Sequence, residues 1–386
     1  MKRFFYLYDH CKYASGRQGG CIYNTITGQM ISVDKELDDL IRHSFANQEI
    51  DDEDSLLQEV EKMELGTFTE FPVSHENFLD LDHKMIKYQL VNSMNYVENL
   101  FLQISNQCDQ DCEFCDDSNY VFTKTHCKKW NNDVLLCDYD KLFEEFSYLG
   151  GKKLYIIGGA PFSEFNRFEE LIKKANRFRF ERVSVYTNIK DIGEEHLLFC
   201  KNNNIGLIAE IMEWTQGERD ALLDIPEKGI EVEVSILVWE KTEKQIESIL
   251  YWLNEHGFKK VRADILYDSV YGIANCTLAE KRFGAVTSNL LEFNDFFNSC
   301  LYGKVYVRTD GKVTPCPMMN EIILGDINSE SLAQILEKKE YQEIIHLTRE
   351  KIIKCGDCAF RFNCEDCRAL EMSASGNVLE MAYCKR

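Results

Sequence analysis

The sequence predicts an α/β protein built around a parallel β-sheet. Between about residue 95 and residue 268, apolar runs of strand length alternate with amphipathic stretches of helical length, which gives six strand-helix units. Such alternation is typical of a parallel sheet covered by helices, and its ligands gather at the carboxyl ends of the strands. The predicted strands are residues 100–105, 154–157, 183–187, 205–211, 232–238 and 261–266, and the predicted helices include 165–178, 194–202 and 242–256.

Residues 1–90 are predicted to form a small α+β domain. Side chains alternate over residues 4–8 and again over 21–31, after a predicted glycine turn at residues 19–20, and this indicates strands. The acidic residues 51–54 are interpreted as a solvated loop or a helix start. Helical spacing surrounds them, in Leu37, Leu40 and Ile41 before and in Leu56, Leu57, Val60 and Met63 after.

Composition and charge exclude several classes of protein. With 44 Lys and Arg against 65 Asp and Glu, the net charge is -21, so no broad basic surface and no nucleic-acid partner are expected. No secretory signal opens the sequence and no apolar run is long enough to cross a bilayer, so a cytoplasmic protein without a membrane partner is expected. In that setting the 16 cysteines are expected to bind metal rather than form disulfides.

The first chemical motif is a cysteine triplet that follows the first strand of the predicted sheet. Cys108, Cys112 and Cys115 have the spacing C-x3-C-x2-C, and the aromatic Phe114 comes directly before the third cysteine. Three thiolates on one loop can hold three irons of a cubane cluster and leave the fourth iron open to a small molecule. A structural zinc site is the alternative, but it needs four ligands and no fourth Cys or His follows at finger spacing.

This triplet resembles the signature of the radical S-adenosylmethionine (SAM) enzymes, whose open iron binds the amino and carboxylate groups of SAM. The resemblance implies a six-stranded partial TIM barrel over residues 91–285, with the cluster loop directly after its first strand. Further residues match the positions of the family's SAM contacts near the strand ends, and these are Gly158, Gly159, Ala160, Pro161, Thr187, Asn188, Glu210 and Arg262, with Phe114 beside the cluster.

These matches include departures from the family pattern. Ala160 replaces the Glu of the family's Gly-Gly-Glu-Pro turn, which receives the SAM amino group, so one polar contact is absent. Thr187 and Asn188 resemble the family's Thr-Asn strand end near the adenosine. Glu210 is a candidate acceptor for the ribose hydroxyls, with a solvent-facing Glu as the alternative, and Arg262 is a candidate partner of the SAM carboxylate.

The C-terminal third carries a second cysteine pattern. Cys300 and Cys316 flank a predicted hairpin that contains Gly311, and five more cysteines follow with the spacing C-x2-C-x5-C-x2-C-x16-C, namely Cys355, Cys358, Cys364, Cys367 and Cys384. The pattern resembles the SPASM domain, here residues 286–386, and implies two auxiliary 4Fe-4S clusters and three clusters in all. A zinc ribbon is disfavoured because about 15 to 20 residues separate its two cysteine pairs, whereas five residues separate Cys358 from Cys364 here.

The family's crossed arrangement divides these cysteines between two clusters. It assigns Cys355, Cys358, Cys364 and Cys384 to an outer cluster and Cys300, Cys316 and Cys367 to an inner one. Two cubanes closed by cysteine alone need eight thiolates. One iron of the inner cluster is therefore expected to be open or to take another ligand, for which Asp295 is the candidate. The chain also has two residues, where the family more often has three, before the sixth cysteine.

The resemblance implies an enzyme that modifies peptides. In the family, the reduced cluster cleaves SAM to methionine and a 5'-deoxyadenosyl radical, which abstracts hydrogen from an unactivated carbon. SPASM-containing relatives mostly act on peptides or proteins, in net two-electron oxidations. The expected product is a thioether or carbon-carbon crosslink in a ribosomally made precursor peptide. The expected partners are that peptide, with its leader segment, and a flavodoxin- or ferredoxin-type reductant.

Residues 1–90, with strands followed by helices and a predicted strand turn at residues 23–28, also resemble the small winged-helix domain that binds leader peptides as an added strand. A capping subdomain without a separate function is the alternative. Two other functions stay open for the whole chain. One is a side-chain oxidase of the sulfatase-maturing type that acts on a protein, and the other, suggested by Ala160, is a catalytically degenerate partner that binds peptide for another maturase.

Overall fold

The computed structural model describes residues 2–74, 79, 96–106, 108, 120–122, 138–239, 242–268, 283–365, 367–382 and 384. A ten-stranded sheet forms its centre, and two three-stranded sheets lie in the N-terminal part. Across these described ranges, no helix is both long enough and apolar enough to span a membrane.

The N-terminal module, residues 2–69, contains two antiparallel sheets and two helices. Its elements are β1 (Lys2–Leu7), β2 (Cys11–Gly16), β3 (Gly19–Asn24), β4 (Gln29–Val33), α1 (Lys35–Phe45), β5 (Ile50–Asp51), α2 (Ser55–Lys62) and β6 (Gly66–Thr69). The strand orders are β5-β1-β6 and β2-β3-β4. The Asp54 side chain accepts hydrogen bonds from the amides of Leu56 and Leu57 and so caps the start of α2. Of the two interpretations of the acidic residues 51–54, the helix start is therefore confirmed.

One prediction for this module is wrong and another is confirmed. The glycines at 19–20 begin β3 instead of forming a turn, whereas the strand turn predicted at residues 23–28 lies between β3 and β4. The chain turns there because the Asn24 side chain accepts hydrogen bonds from the amides of Ile26 and Thr27, each at 3.0 Å.

The central sheet confirms the α/β class and the mostly parallel arrangement. Six parallel strands lie side by side in chain order. They are β7 (Asn99–Gln103), β9 (Lys153–Ile157), β10 (Arg182–Asn188), β11 (Ile205–Ile211), β12 (Val232–Val238) and β13 (Val261–Asp268), while β8 (Tyr120–Phe122) pairs antiparallel with β13.

Helices connect these strands, close to where the sequence predicts them. They are α3 (Tyr139–Tyr148), α4 (Phe165–Ala175), α5 (Glu194–Asn202), α6 (Gln216–Glu227) and α7 (Ile246–Glu255). α4 ends three residues before the predicted boundary, and a 3-10 turn, Glu243–Gln245, precedes α7. Gly257 follows α7 with a φ of 79°, as expected for a glycine that ends a helix.

The C-terminal region extends the same sheet. Its elements are α8 (Ser288–Phe296), β14 (Lys304–Val307), β15 (Lys312–Thr314), β16 (Gly325–Asp326), α9 (Leu332–Glu337), α10 (Lys339–Ile345) and α11 (Arg368–Ser375). β14 and β15 form the predicted hairpin, and β14 also pairs parallel with β7. The sheet order is therefore β16-β15-β14-β7-β9-β10-β11-β12-β13-β8.

The two faces of the central sheet differ in their side chains. Leu100 and Leu102 of β7 pack with the helices in the large apolar core. The alternate residue Phe101 belongs to a smaller group on the opposite face, together with Tyr186 and Tyr306. We call this second face the inner face, and it carries most of the candidate ligand residues.

The N-terminal module packs on the second half of the C-terminal cysteine pattern. The Arg17 amide donates to the Asp357 carbonyl at 2.8 Å, and the buried Tyr23 hydroxyl donates to the Ala359 carbonyl at 2.5 Å. Ala14 and Phe362 belong to a shared apolar group at this contact. The module is therefore in direct contact with the segment that contains Cys355, Cys358 and Cys364.

Candidate iron-sulfur and ligand site

β7 leads directly to the first candidate ligand. Cys108 lies five residues after Gln103, at the carboxyl end of the strand. Gln103 Oε1 accepts a hydrogen bond from the Tyr306 hydroxyl at 2.8 Å, and its side-chain amide donates to Asn106. These contacts join the end of β7 to β14. Outside the described residues lie Cys112, Phe114 and Cys115, so the geometry of the triplet stays a prediction.

The predicted glycine turn lies beside the segment that leads to the triplet. Gly158 and Gly159 follow β9 with φ angles of 104° and 48°, which few other residues adopt. A Cβ on Gly158 would stand 2.6 Å from the Ser105 carbonyl oxygen. Ala160 is buried, and Pro161 begins a short 3-10 turn. The turn therefore presents backbone rather than side chains to the strand end.

Polar residues form a row across four strands of the sheet. The strand registers pair Asn188 with Glu210, Glu210 with Ser235, and Ser235 with Arg262. Glu210 is fully buried, so the solvent-facing alternative for this residue is wrong. Thr187 is also buried, and its hydroxyl donates to the Asn188 carbonyl at 3.3 Å. The structure thus brings these candidates onto adjacent strands.

Arg262 is held by groups of the sheet itself. Its Nε donates to Ser235 Oγ at 3.1 Å and lies 3.3 Å from Asp264 Oδ2, while Nη1 donates to the Tyr186 hydroxyl at 3.3 Å. Burial acts to lower the pKa of Arg262, but Tyr186, Asp264 and Glu233 outweigh it and raise that pKa. The guanidinium therefore stays charged on the inner face, and its pairing with a SAM carboxylate stays a prediction.

Aromatic side chains cover the inner face next to this row. The Phe101 and Tyr155 rings stack with centroids 4.7 Å apart, and the Tyr155 and Tyr186 centroids are 6.2 Å apart. On the far side of Phe101, the Lys304 ammonium lies 5.9 Å from the ring centroid. The aromatic rings thus extend from Arg262 to Lys304.

The inner thiol group, Cys300, Cys316 and Cys367, lies beside Lys304. These three cysteines are partly buried and pack against one apolar cluster, whose buried members are Leu301, Met319, Ile344 and Ala369. Lys304 Nζ is 4.0 Å from Cys300 Sγ. The structure therefore brings together the three cysteines that the resemblance assigns to the inner cluster.

Lys304 and the inner thiol group affect one another's pKa values. Burial and the Cys300 thiol raise the pKa of Cys316 to about 11, against the opposing charge of Lys304. Burial acts to lower the pKa of Lys304, but the three thiols and Tyr155 outweigh it and raise that pKa. Lys304 is thus a cation paired with sulfur. Iron-sulfur ligands bind as thiolates, so a neighbouring cation suits them.

The outer thiol group is defined as Cys355, Cys358, Cys364 and Cys384. Cys355 and Cys384 pack with Ile352 and Met381 in a second apolar cluster. The Cys358 amide donates to the Cys355 carbonyl at 2.9 Å, so these two cysteines share one turn. The structure therefore brings the last cysteine of the chain to the first cysteine of the C-x2-C pair.

Two buried arginines hold the loop of the outer thiol group. Arg349 Nε donates to the Cys364 carbonyl at 3.1 Å. Arg361 Nη1 donates to the Cys358 carbonyl at 2.7 Å and to the Ser15 carbonyl of β2 at 2.9 Å. A guanidinium that binds backbone oxygen fixes the path of the chain, and Arg361 does so for both the loop and the N-terminal module.

A third buried arginine holds the C-terminal tail. Arg368 Nη1 donates to the carbonyls of Val378 and Glu380, at 2.9 and 3.0 Å. The buried Glu371 carboxylate accepts a hydrogen bond from the Ala382 amide at 2.5 Å. These contacts direct the tail toward the position of Cys384.

The donor chemistry of the two thiol groups fits iron-sulfur clusters. Across the described part of the chain, no three Cys, His, Asp or Glu side chains converge on a position for one metal ion. A cubane has a different requirement, because each of its cysteines binds a separate iron. The inner thiol group meets that requirement with three neighbouring sulfurs, apolar surroundings and a cation.

Asp295, the candidate for the missing ligand, lies on α8. It lines a small recess together with Thr348, Arg349 and Arg361, next to the loop of the outer thiol group. Its neighbours therefore give no support to a role in the inner cluster, and that role stays a prediction.

Sequence reasoning missed several residues of the site. Lys304, Asp264 and Arg361 carry no motif, and each gains its meaning from residues brought together by folding. For Lys304 a weak signal exists, since it alternates with Tyr306 on a predicted hairpin strand four residues after Cys300. Arg361 contacts Ser15, 346 residues away in the sequence, and no local pattern can indicate that contact.

Comparison with protein families identifies the C-terminal region. Residues 299–368 match the SPASM family, an iron-sulfur cluster-binding domain. This match agrees with the resemblance that the cysteine pattern predicts. The matched residues include six of the seven predicted auxiliary ligands, all except Cys384. No curated protein sequence matches the chain.

Solved structures share the fold over most of the chain. Streptococcus suis SuiB bound to its precursor peptide SuiA aligns over 100% of both chains, with a TM-score of 0.56 and 13% identity. Native anSMEcpe with bound AdoMet and the Kp18Cys peptide aligns over 73% of this chain and 93% of its own, with a TM-score of 0.56 and 17% identity. The predicted resemblance to the SPASM domain is thus confirmed by sequence over residues 299–368, and the rest of the chain shares its fold with these structures.

Proposed function

We propose that this protein is a radical SAM peptide maturase that installs an oxidative thioether or carbon-carbon crosslink in a ribosomally made precursor peptide. The observation that carries the proposal is the combination of a SPASM domain with a parallel sheet whose first strand leads to Cys108. In this proposal the six parallel strands form the partial barrel of the family, and three 4Fe-4S clusters are bound. A bound, reduced cluster at the triplet would supply the radical that abstracts hydrogen from the peptide.

The described residues suit this role in distinct ways. The backbone of Gly158 and Gly159 offers a ligand close approach to the end of β7. The buried Asn188 and Glu210 supply polar groups for the ribose and adenine end of SAM. Arg262 supplies a fixed positive charge on the inner face, and the aromatic rings beside it exclude water from the reacting carbon.

A precursor peptide is favoured over a folded protein as substrate. SuiB aligns over all of this chain, including the N-terminal module, whereas the alignment with anSMEcpe covers 73% of it. A strand-rich module is expected for a substrate that docks through a leader segment. The aligned SuiB structure contains the precursor peptide SuiA, which supports a precursor peptide as the substrate of this protein too. The proposed reductant is a flavodoxin- or ferredoxin-type protein, and the proposed location is the cytoplasm.

The decisive experiment combines SAM cleavage with peptide analysis. The full chain is coexpressed with the short open reading frame beside its gene, and the peptide is examined by mass spectrometry. A mass loss of two hydrogens, or a multiple of it, is expected, together with 5'-deoxyadenosine from the anaerobically reconstituted protein. The variant carrying Cys108→Ala, Cys112→Ala and Cys115→Ala is expected to lose cleavage and to keep most of its iron.

Cys200→Ala provides the control, because Cys200 is buried on α5 and has no ligand spacing. It is expected to cleave SAM as the wild type does. Cleavage by the triple variant would contradict the radical SAM assignment. Cleavage of SAM without modification of the precursor peptide would instead favour a side-chain oxidase of the sulfatase-maturing type. Oxidation of a sulfatase-derived peptide would then identify that activity. Absence of cleavage from a wild-type chain with its full iron content would favour the degenerate partner.

A further inference from the structure

Lys304 is placed between the inner thiol group and the inner face of the sheet. It is the first residue of β14, two residues before Tyr306, so both side chains lie on the same face. Its Nζ atom is 4.0 Å from Cys300 Sγ and 5.9 Å from the centroid of the Phe101 ring. The ammonium group therefore lies between the sulfur of Cys300 and the Phe101 ring.

The charge of Lys304 has no carboxylate to balance it in the described part of the chain. Two other cations of this region do have one: Arg308 pairs with Asp310 at 2.8 Å and Lys338 pairs with Glu330 at 2.6 Å. A partly buried ammonium is unfavourable without an anion nearby. With a cluster bound, the thiolates of the inner thiol group are the anions that this position offers.

We propose that Lys304 is a positioning residue that raises the reduction potential of the cluster held by Cys300, Cys316 and Cys367. A cluster ligated by thiolates gains one more negative charge when it takes up an electron, and a fixed cation near its sulfur stabilises that reduced form. In this half-reaction one electron enters the cluster and no proton has to move. The inference rests on the proposed function for the presence of the cluster, and it goes beyond it in assigning this lysine.

The direction of the effect has a consequence for peptide oxidation. A crosslink formed through a substrate radical leaves one electron to be removed, and a cluster with a raised potential accepts it more readily. Lys304 lies at the end of the aromatic side chains Phe101, Tyr155 and Tyr186, so its charge acts on the side of the thiol group that faces the inner face.

The test is a redox titration of the reconstituted full chain, followed by electron paramagnetic resonance. Addition of SAM changes the signal of the cluster that binds it, which distinguishes the other two. In Lys304→Met, the ratio of reduced to oxidised protein at a fixed potential is expected to fall about tenfold for one auxiliary cluster. That corresponds to a downward shift of about 59 mV for one electron. Lys304→Arg keeps the charge and is expected to restore most of the ratio.

Lys339→Met is the matched control, because Lys339 is exposed on α10 and pairs with Glu343. It is expected to leave all three potentials unchanged. The proposal is overturned if Lys304→Met changes the potential of neither auxiliary cluster, or if Lys304→Arg lowers that potential as far as Lys304→Met does. It is also overturned if Lys304→Met loses about four irons, because the lysine would then be needed for cluster assembly. The readout needs no peptide, so failure of the proposed function, seen as absent SAM cleavage, is distinguishable from failure of this inference.

Discussion

The inner and outer thiol groups are surrounded by cations that do different work. Beside the inner thiol group, the Lys304 ammonium faces the sulfur of Cys300. Around the outer thiol group, the guanidinium groups of Arg349, Arg361 and Arg368 face backbone carbonyl oxygens instead. The same sign of charge is therefore directed at a ligand atom in one region and at the protein chain in the other.

This difference separates electrostatic tuning from structural support. A cation near the ligating sulfur changes the free energy of electron uptake, because the added charge lies on the cluster. A guanidinium bound to carbonyl oxygens orders a loop that has little regular secondary structure, and it satisfies buried backbone groups. We therefore expect the outer thiol group to depend on distant parts of the chain for its shape, and the inner thiol group to depend on Lys304 for its potential.

The largest effect is expected from removal of the C-terminal tail. Deletion of residues 384–386 removes Cys384, which packs with Cys355 and Met381. The chain is expected to lose about four irons, because the outer cluster loses a ligand, while the iron of the inner thiol group stays. Iron and sulfide counting after anaerobic reconstitution measures the loss.

A deletion of Lys385 and Arg386 alone is the matched control for this prediction. It leaves the ligand in place and is expected to keep the full iron content. If removal of all three residues leaves the iron count unchanged, the division of ligands between the two clusters is incorrect and the comparison of the two thiol groups loses its basis.

A smaller effect is expected where the N-terminal module meets the outer thiol group. In Tyr23→Phe, the Ala359 carbonyl loses a buried donor that lies 2.5 Å away, and unfolding is expected to require about 1 to 2 kcal/mol less free energy. Iron release to a chelator is expected to be faster from the outer cluster and unchanged from the inner one. Chemical denaturation and the time course of iron release measure the two effects.

Arg17→Ala is the control at the same interface. Arg17 pairs with Asp357 at 2.9 Å, but both side chains are largely exposed, so the loss is expected to be below about 1 kcal/mol. Equal effects of the two variants on iron release would show that the buried contact has no special role. The N-terminal module would then be independent of the cluster loop.

Sequence alone predicts the central sheet well, for a physical reason. Residues 205–211 and 232–238 match β11 and β12 at both ends, because long apolar runs interrupted by helical stretches permit few other structures. The N-terminal module is predicted less well. Gly19 and Gly20 are typical turn residues, but they begin β3, where a Cβ on Gly20 would collide with the Tyr13 ring.

For the site, the family resemblance predicts how the thiols are grouped, but not what surrounds them. Cys300, Cys316 and Cys367 pack against one apolar cluster, and their binding of a single iron-sulfur cluster stays a prediction. The contacts of Lys304 and Arg361 arise from the pairing of β14 with β7 and from the packing of β2 on the cluster loop. Single charged residues carry no periodic signal, so these contacts become visible after the chain has folded.

The smallest effect is expected at His346, which joins the segments that lead to the two thiol groups. His346 Nδ1 bonds to the Phe296 carbonyl at 2.9 Å, four residues before Cys300, and a carbonyl accepts, so Nδ1 carries the hydrogen. Burial lowers the pKa of His346, and Lys351 adds to this, against the hydrogen bond that raises it.

A lowered pKa in the folded state fixes the sign of the pH dependence. The unfolded chain binds a proton near pH 6.5 and the folded chain binds it at lower pH, so the stabilising contribution of His346 is complete above about pH 6.5 and is lost as the pH falls below it. The free energy of unfolding is expected to decrease there by at most about 1.4 kcal/mol per pH unit for this one proton.

In His346→Gln, the slope of the free energy of unfolding against pH is expected to be smaller below pH 6.5. His256→Gln, at an exposed position, is expected to keep the slope of the wild type. Denaturation curves between pH 5.5 and 7.5 provide the measurement, and identical slopes in the wild type and His346→Gln would rule out this residue as a source of acid sensitivity between the two thiol groups.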